Sequence, residues 1–265
     1  LSFDNIEVEV LHPKIWVFKN ILTQSDDLIN YLRGEEFLDQ WQDWYTFGEK
    51  VFLPIGGGRF KDFPSEVDWD EQVTSEASKN KALKQFTDAF YYVTKKYSIN
   101  QKINLDNWEF GGSDLCYYRE MVGVSGTQAM NYHTDYQIER DYEPGMKFQT
   151  TCVFYLNDDY EGGEICFKIF EEDYSKVLER VSYKPSKGDA IVFPSKHPVY
   201  HGVKIVENGT KYIIRSYWKY WKDGTDEYYN HKNSMDEQEF EKFLDERHRD
   251  LWNKVVLKTH DDYTG

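Results

Sequence analysis

Apolar positions change their spacing along this chain, and the changes mark out different kinds of structure. Near the start, Ile15-Trp16-Val17-Phe18 is an apolar, β-prone run that predicts a strand. Ser25-Asp26-Asp27 then offers a cap for a helix running through Leu28, Ile29 and Leu32 to Gly34. Residues 41–75 follow no period: they are rich in Trp, Gly and Pro, with Gly56-Gly57-Gly58 in the middle. No Lys-Ser or Lys-Thr follows that triplet, so it reads as a flexible turn and not as a phosphate loop. Over 78–97, Leu83, Phe86, Phe90 and Val93 recur at three- and four-residue intervals, which predicts a helix with one apolar face.

From about residue 108 to 218 the period becomes two. Short β-like runs at 114–118, 149–156, 164–167, 190–193 and 211–218 are separated by Gly, Asn-Asp and Pro turns. Such spacing predicts an antiparallel sandwich or barrel of the jelly-roll type. Asn208-Gly209, between 203–206 and 211–218, predicts a β-hairpin. With Thr210 it also has the form of a glycosylation sequon, but without a secretory signal it is read as a turn. A charged helix closes the chain, with Ser234-Met235-Asp236-Glu237 as a capping box and Phe240, Phe243, Leu244, Leu251 and Trp252 as its apolar stripe. The expected architecture is mainly β with flanking helices (α+β). A support region spans 1–112 with an irregular insert about 41–75, a β core spans 113–218 and a helical tail spans 219–265, all in one compact domain.

Composition narrows the function classes. The 265 residues include 21 Tyr, 17 Phe and 8 Trp, far more rings than a disordered chain carries, so a packed core is expected. Asp plus Glu number 47 against 32 Lys plus Arg, a net charge of −15, which disfavours nucleic acid as partner or substrate. Apolar stretches such as Ala190-Ile191-Val192-Phe193 are too short to cross a membrane, and the first residues show no basic region followed by an apolar run. Cys116, Cys152 and Cys166 form no C-x-x-C pair and read as small buried hydrophobes in a reducing compartment. A cytoplasmic location is therefore expected.

The first chemical signal is His133-Thr134-Asp135. In a strand, residues two apart share a face, so the imidazole and carboxylate converge. His201, in Pro198-Val199-Tyr200-His201-Gly202, offers a third ligand. Two histidines and one carboxylate form the facial set that leaves three positions open on Fe(II), as oxygen chemistry requires. Zinc accepts the same donors but keeps one open position in its catalytic sites. Each element alone is weak, since the chain has seven histidines. Their order and context make them specific.

Tyr155-Leu156-Asn157 ends a β-run and Gly162-Gly163-Glu164 follows an acidic turn. Lys187-Gly188-Asp189-Ala190 opens an apolar strand, His201 follows, and ten residues later Lys211 begins the last strand. Over roughly 113–218 this ordered set resembles the 2-oxoglutarate- and Fe(II)-dependent dioxygenases, in particular the prolyl 4-hydroxylase-like branch. The resemblance implies a double-stranded β-helix (jelly-roll, cupin-like) with Fe(II) at its open end, held by His133, Asp135 and His201. It implies 2-oxoglutarate as cosubstrate with O2, and ascorbate as a further candidate cofactor. Lys211 matches the basic residue that pairs with the distal carboxylate of 2-oxoglutarate, and Tyr155 a tyrosine that donates to the same group. A buried dicarboxylate needs such a cation. Arg215 alternates onto the same face as Lys211 and is the other candidate anchor. Tyr118, or its neighbour Tyr117, matches a cosubstrate-lining tyrosine, with packing as its other role. His197 is set aside because Pro198 follows it and Lys211 has the expected offset only from His201. His12, His231, His248 and His260 lie outside the β core and are expected at the surface.

The implied reaction hydroxylates an unactivated C–H while 2-oxoglutarate is decarboxylated to succinate and CO2. The family default substrate is a prolyl residue in a peptide or protein, with small molecules open. Trp41, Trp44 and Tyr45 could line a peptide groove, although a core role is the simpler one for a tryptophan. The connection over 119–128 is longer than the family's usual turn, so the substrate pocket is expected to differ from a prolyl hydroxylase's. Two other readings use the same residues: a non-catalytic cupin-like binding module, and a zinc or manganese hydrolase with Lys211 as a substrate anchor.

Overall fold

The computed structural model describes residues 3, 5–43, 50–54, 80–102, 108–119, 128–135, 146–173, 175–221, 236 and 239. At 36, 40, 42–43, 50–54, 108–119, 128–129, 131, 146–149 and 218–221 it describes the backbone alone. The strands are β1 (Val8–His12), β2 (Ile15–Phe18), β3 (Gln42–Asp43), β4 (Lys50–Pro54), β5 (Trp108–Arg119), β6 (Gln128–His133) and β7 (Met146–Tyr155). They continue with β8 (Glu161–Gly162), β9 (Ile165–Phe170), β10 (Val177–Tyr183), β11 (Ala190–Pro194), β12 (Val199–Lys204), β13 (Val206–Asn208) and β14 (Thr210–Trp221). Helices α1 (Ser25–Leu32) and α2 (Lys81–Asn100) and a 3-10 turn (Glu35–Gln40) complete the described elements.

One sheet has the order β1-β2-β11-β7-β14-β5-β4-β3 and a second the order β10-β9-β12-β6, with every pairing antiparallel. Followed along the chain, β5, β7, β11 and β14 lie in the large sheet and β6, β9, β10 and β12 in the small one. The chain crosses between sheets at each step except the β9–β10 hairpin, which is the winding of a double-stranded β-helix.

The central strands β2, β7 and β11 of the large sheet are buried on both faces over their described side chains, so they read as unbroken apolar runs. Val153, Tyr155, Ile191, Phe193 and Ile213 turn inward and pack with Ile165, Phe167, Ile169 and Val199 of the small sheet. Their sequence neighbours Cys152, Phe154, Ala190, Val192 and Ile214 turn outward onto Leu28, Leu32, Phe86, Phe90 and Val93 of the helices. Phe167 and Phe193 meet edge-on at 5.0 Å across the interior, and Phe86 and Phe154 at 5.1 Å across the helix layer. Trp41 belongs to this helix-side core, and with 8% of its surface exposed it is not a groove residue.

Helix α2 starts three residues later than the pattern predicts because Asn80 is its cap, its carboxamide oxygen accepting from the Ala82 and Leu83 amides at 2.9 and 3.0 Å. At α1 the predicted serine cap is displaced: Gln24 occupies the cap position, and the Ser25 hydroxyl donates back to Leu22 O at 3.1 Å. Gly209 makes the predicted turn with φ +84°, but the strands it joins do not form a hairpin. β13 pairs with β8, because both edges of β14 are occupied by β5 and β7. At the tail, Asp236 and Glu239 exchange side-chain-to-amide bonds, Glu239 N to Asp236 Oδ1 at 2.9 Å and Asp236 N to Glu239 Oε2 at 3.3 Å. That reciprocal pair is a capping box two residues beyond the one predicted. The apolar stripe after it, Gly56-Gly57-Gly58, Trp44 and Tyr45 lie outside the described residues. No described helix is long and apolar enough to cross a membrane.

The entry to β11 is held by Asp189, whose side chain is 2% exposed. It accepts from the Asn20 amide (2.9 Å), the Ser186 amide (3.0 Å), the Tyr183 hydroxyl (2.5 Å) and Lys19 Nζ (3.1 Å). One carboxylate thus ties β2, β10 and β11 together, which accounts for the Gly-Asp-Ala signature in structural terms. Asp189→Ala strands these donors and is expected to cost about 3–5 kcal/mol in urea unfolding; Asp189→Asn, which keeps acceptor capacity, should lose less than half of that.

Candidate active site

The pairing of β6 with β12 sets His133 directly opposite His201, and their rings lie 4.3 Å apart between centroids. β6 ends at His133, so Asp135 sits just past the strand and not within it, yet its carboxylate still turns to the same point. Its Oδ1 is 3.6 Å from His133 Nε2 and its Oδ2 3.6 Å from His201 Nε2. One donor atom from each of the three residues lies within 4.8 Å of the others. Asp135 and His201 side chains are 5% and 6% exposed and His133 26%, so the cluster is closed on the protein side and open beside His133.

Protonation follows from this enclosure. Burial alone would raise the Asp135 carboxyl, but the facing imidazoles, His201 foremost, and Arg215 hold it well below the usual carboxylate range. Burial pushes His201 down to about 3, against the pull of Asp135. A neutral imidazole and a carboxylate 3.6 Å apart are too distant for a hydrogen bond, and both are in the deprotonated form that binds metal. His201 is oriented by packing against Phe193 at 4.7 Å, since its buried Nδ1 has no hydrogen-bond partner among the described residues.

Two residues that the sequence did not single out fix Asp135. Thr151 Oγ1 donates to Asp135 Oδ2 at 2.5 Å, and Ser195 Oγ lies 2.8 Å from Thr151 Oγ1, with Thr151 and Ser195 fully buried. A carboxylate only accepts, so Thr151 gives it its proton and takes one from Ser195. The signal was the β7 alternation itself, because Thr151, Val153 and Tyr155 share the inward face.

The other pole is Lys211, the second residue of β14. It is 1% exposed, its Nζ donates to Gly163 O at 2.5 Å, and it lies 5.2 Å from the Tyr155 ring centre and 5.8 Å from that of Tyr160. No carboxylate among the described residues lies within ion-pair distance of it. Burial, with Lys184 adding to it, pushes its pKa down to about 7. Asn157 brackets this lysine: its Nδ2 donates to Thr210 O at 2.7 Å and its Oδ1 accepts from the Tyr212 amide at 2.7 Å. Those two bonds join the end of β7 to the start of β14 and explain the Tyr-Leu-Asn signature. Gly163, at φ +68°, leaves the space that Lys211 needs, since a Cβ there would lie 3.2 Å from Lys211 Cδ.

Arg215 is half-buried on the same face, opposite Val153, and its charge is felt by Asp135 and His201, which puts it at the triad end of the barrel. Tyr118 pairs with Lys211 across β14–β5, its side chain and that of Tyr117 lying outside the described residues. His197 stands apart from the cluster, its Nε2 3.1 Å from Glu172 O. His12 is not a solvated surface residue: its side chain is 13% exposed, with Nδ1 accepting from the Lys14 amide at 3.1 Å. His231, His248, His260 and the 120–127 connection lie outside the described residues.

Residues 117–219 match the family model of the 2OG-Fe(II) oxygenase superfamily. No curated protein matches the chain. Among solved structures, a prolyl-4-hydroxylase from Pseudomonas putida aligns over 79% of this chain and 94% of its own, with 15% identity and a TM-score of 0.50. A viral collagen prolyl hydroxylase from Paramecium bursaria Chlorella virus-1 aligns over 79% and 90%, at 19% identity and a TM-score of 0.46. A prolyl hydroxylase from Trichoplax adhaerens, solved with a hypoxia-inducible-factor peptide fragment, aligns over 78% and 83%, at 13% identity and 0.46. The likeness to the Pseudomonas enzyme shows the fold. Over residues 117–219 the chain is similar to the 2OG-Fe(II) oxygenase superfamily, oxidoreductases that work with Fe(II), 2-oxoglutarate and O2.

Proposed function

We propose that this protein is a dioxygenase that hydroxylates an unactivated C–H, with a prolyl residue in a peptide or protein as its substrate. His133, Asp135 and His201 hold the metal, Lys211 with Tyr155 anchors the distal carboxylate of 2-oxoglutarate, and Tyr118 lines the same pocket. The carrying observation is the pairing of two poles in one barrel: a converging His-Asp-His set, and a buried ammonium with no carboxylate within ion-pair distance among the described residues. Such a cation fits an incoming dicarboxylate, for which a sugar-type binding module has no use. When bound, Fe(II) and 2-oxoglutarate supply O2 activation coupled to decarboxylation to succinate and CO2.

The chain's own residues do the positioning. Thr151 and Ser195 hold the Asp135 carboxylate, the Phe193 ring holds His201, and the site opens to solvent beside His133. Lys211 suits the anchoring role better than Arg215, being buried and bracketed by Asn157, whereas Arg215 faces the triad. Prolyl specificity is supported by the motif order resembling that branch. Buried free thiols at Cys152 and Cys166 support the reducing, cytoplasmic location.

Purified protein supplied with Fe(II), 2-oxoglutarate and air is expected to form succinate. Asp135→Ala should lower that rate by more than about 100-fold with an unchanged circular dichroism spectrum; wild-type succinate from this variant would overturn the ligand assignment.

Lys211→Met should weaken 2-oxoglutarate binding by more than about 100-fold. The same change removes a buried charge, so the ligand-free variant should unfold about 1–3 kcal/mol harder than wild type. Denaturant melts and anaerobic titration together check this opposition.

The affinity also carries a pH signature. Lys211 is cationic below its pKa of about 7 and neutral above it, while 2-oxoglutarate is a dianion throughout. Its Kd should therefore climb by about tenfold per pH unit above neutrality. Lys211→Arg, whose guanidinium stays charged, should flatten the profile between pH 7 and 9.

A further inference from the structure

Tyr160 ends the connection that leads from β7 to β8. Its ring packs in the barrel interior with Tyr155, Ile165 and Val206 and is 6% exposed. Its hydroxyl is completely buried and has no hydrogen-bond partner among the described residues. A buried hydroxyl without a partner is costly, and phenylalanine would fill the same volume without that cost. Among the described residues nothing supplies that partner, and a ligand in the barrel would.

The surroundings say what kind of partner. Tyr160 and Lys211 meet over Gly163, where a Cβ would lie 3.0 Å from Tyr160 Cε2 and 3.2 Å from Lys211 Cδ. Cε2 is the ring atom next to the hydroxyl-bearing carbon, so the polar edge of the ring lies beside the lysine stem. The ammonium has three donors, and Gly163 O takes one of them. Water would satisfy the phenol but leave the ammonium's charge uncompensated; a carboxylate, with two oxygens, serves both. Lys184 fixes the tyrosine by donating to Tyr160 O at 3.2 Å and to Gly162 O, with its Nζ 4.1 Å above the ring. Burial, and after it the charges of Asp158 and Glu164, push the phenol's pKa up, so it stays a donor at neutral pH.

We infer that Tyr160 donates a hydrogen bond to the distal carboxylate of the 2-oxo acid cosubstrate, beside Lys211, and so selects a dicarboxylate over a 2-oxo monocarboxylate. The inference rests on Lys211 as the anchor of that carboxylate and adds a positioning residue to it.

The test uses the full chain loaded with redox-inert Mn(II), titrated calorimetrically with 2-oxoglutarate and with 2-oxopentanoate, which lacks the distal carboxylate. Tyr160→Phe is expected to raise the Kd for 2-oxoglutarate about tenfold, to leave that for 2-oxopentanoate within about twofold, and to melt no lower than wild type without ligand. An unchanged 2-oxoglutarate Kd would make the hydroxyl a structural orphan and overturn the inference. Equal weakening of both acids would also overturn it, as general damage to the pocket. Lys211→Met is measured in parallel: if it binds 2-oxoglutarate as wild type does, the anchor reading itself fails. If only Lys211→Met loses affinity, the anchor stands and Tyr160 does not.

Discussion

The antiparallel register of β6 against β12 is the constraint on which the site rests. Directly opposed residues in a sheet point the same way, so pairing His133 with His201 brings two imidazoles 133 and 201 residues into the chain to a 4.3 Å separation. A one-residue slip would turn one ring to the opposite face. The register is held from the other side by β9, whose Phe167 opposes His201 while its ring packs on Phe193 of the large sheet. The third donor is secured differently. Asp135 lies beyond the strand, and its carboxylate is held across the barrel by Thr151 of β7 and Ser195 just after β11. Two donors are thus set by small-sheet pairing and the third by a tether to the large sheet, so the site depends on the two sheets keeping their separation.

That separation is maintained by the central strands β2, β7 and β11 of the large sheet, buried on both faces. Val153 and Phe154 are adjacent in sequence but belong to different cores, one inside the barrel and one against the helices. A sheet clamped in this way tolerates what a small core could not, a dry ammonium at Lys211 and a dry carboxylate at Asp135 within one interior. Each is costly alone. The carboxylate is partly compensated by Thr151 and by Arg215 nearby, while among the described residues Lys211 has only a backbone carbonyl as hydrogen-bond acceptor. The imbalance is local stability forgone at one position in favour of binding.

Legibility in the sequence followed the same physics. β2, β7, β11 and β14 were readable because burial on both faces leaves apolar runs, and the triad was readable because its two histidines and one aspartate stand in a fixed order among other motifs. β1 and β10 were not, since they are sheet edges with exposed positions, as Val10 and Leu178 show. β6 was hidden by its own composition, Gln-Ala-Met-Asn-Tyr-His, which has little β signal apart from its terminal histidine. The Asn208-Gly209 turn was correctly placed but its partner strands were not, because turn chemistry is local whereas the choice of neighbour depends on which edges are already filled. Thr151, Ser195 and Tyr160 left no signal of their own: a hydroxyl reveals its role through what lies within 3 Å of it, and 21 tyrosines give no reason to choose one.

The contest between Lys211 and Arg215 shows why alternation alone could not decide it. Both lie on the inward face of β14, four residues apart, so period two gives them equal claims. Depth separates them. Lys211 sits where Asn157 fastens β14 to the end of β7, dry and tightly framed, while Arg215 sits opposite Val153, half-buried, where its field reaches Asp135 and His201. An ammonium is a compact point charge on a flexible stem, whereas a guanidinium is planar and keeps its charge at any working pH. The strand therefore carries two cations in different surroundings, one dry and one half-buried near Asp135 and His201, and the face pattern alone does not tell them apart.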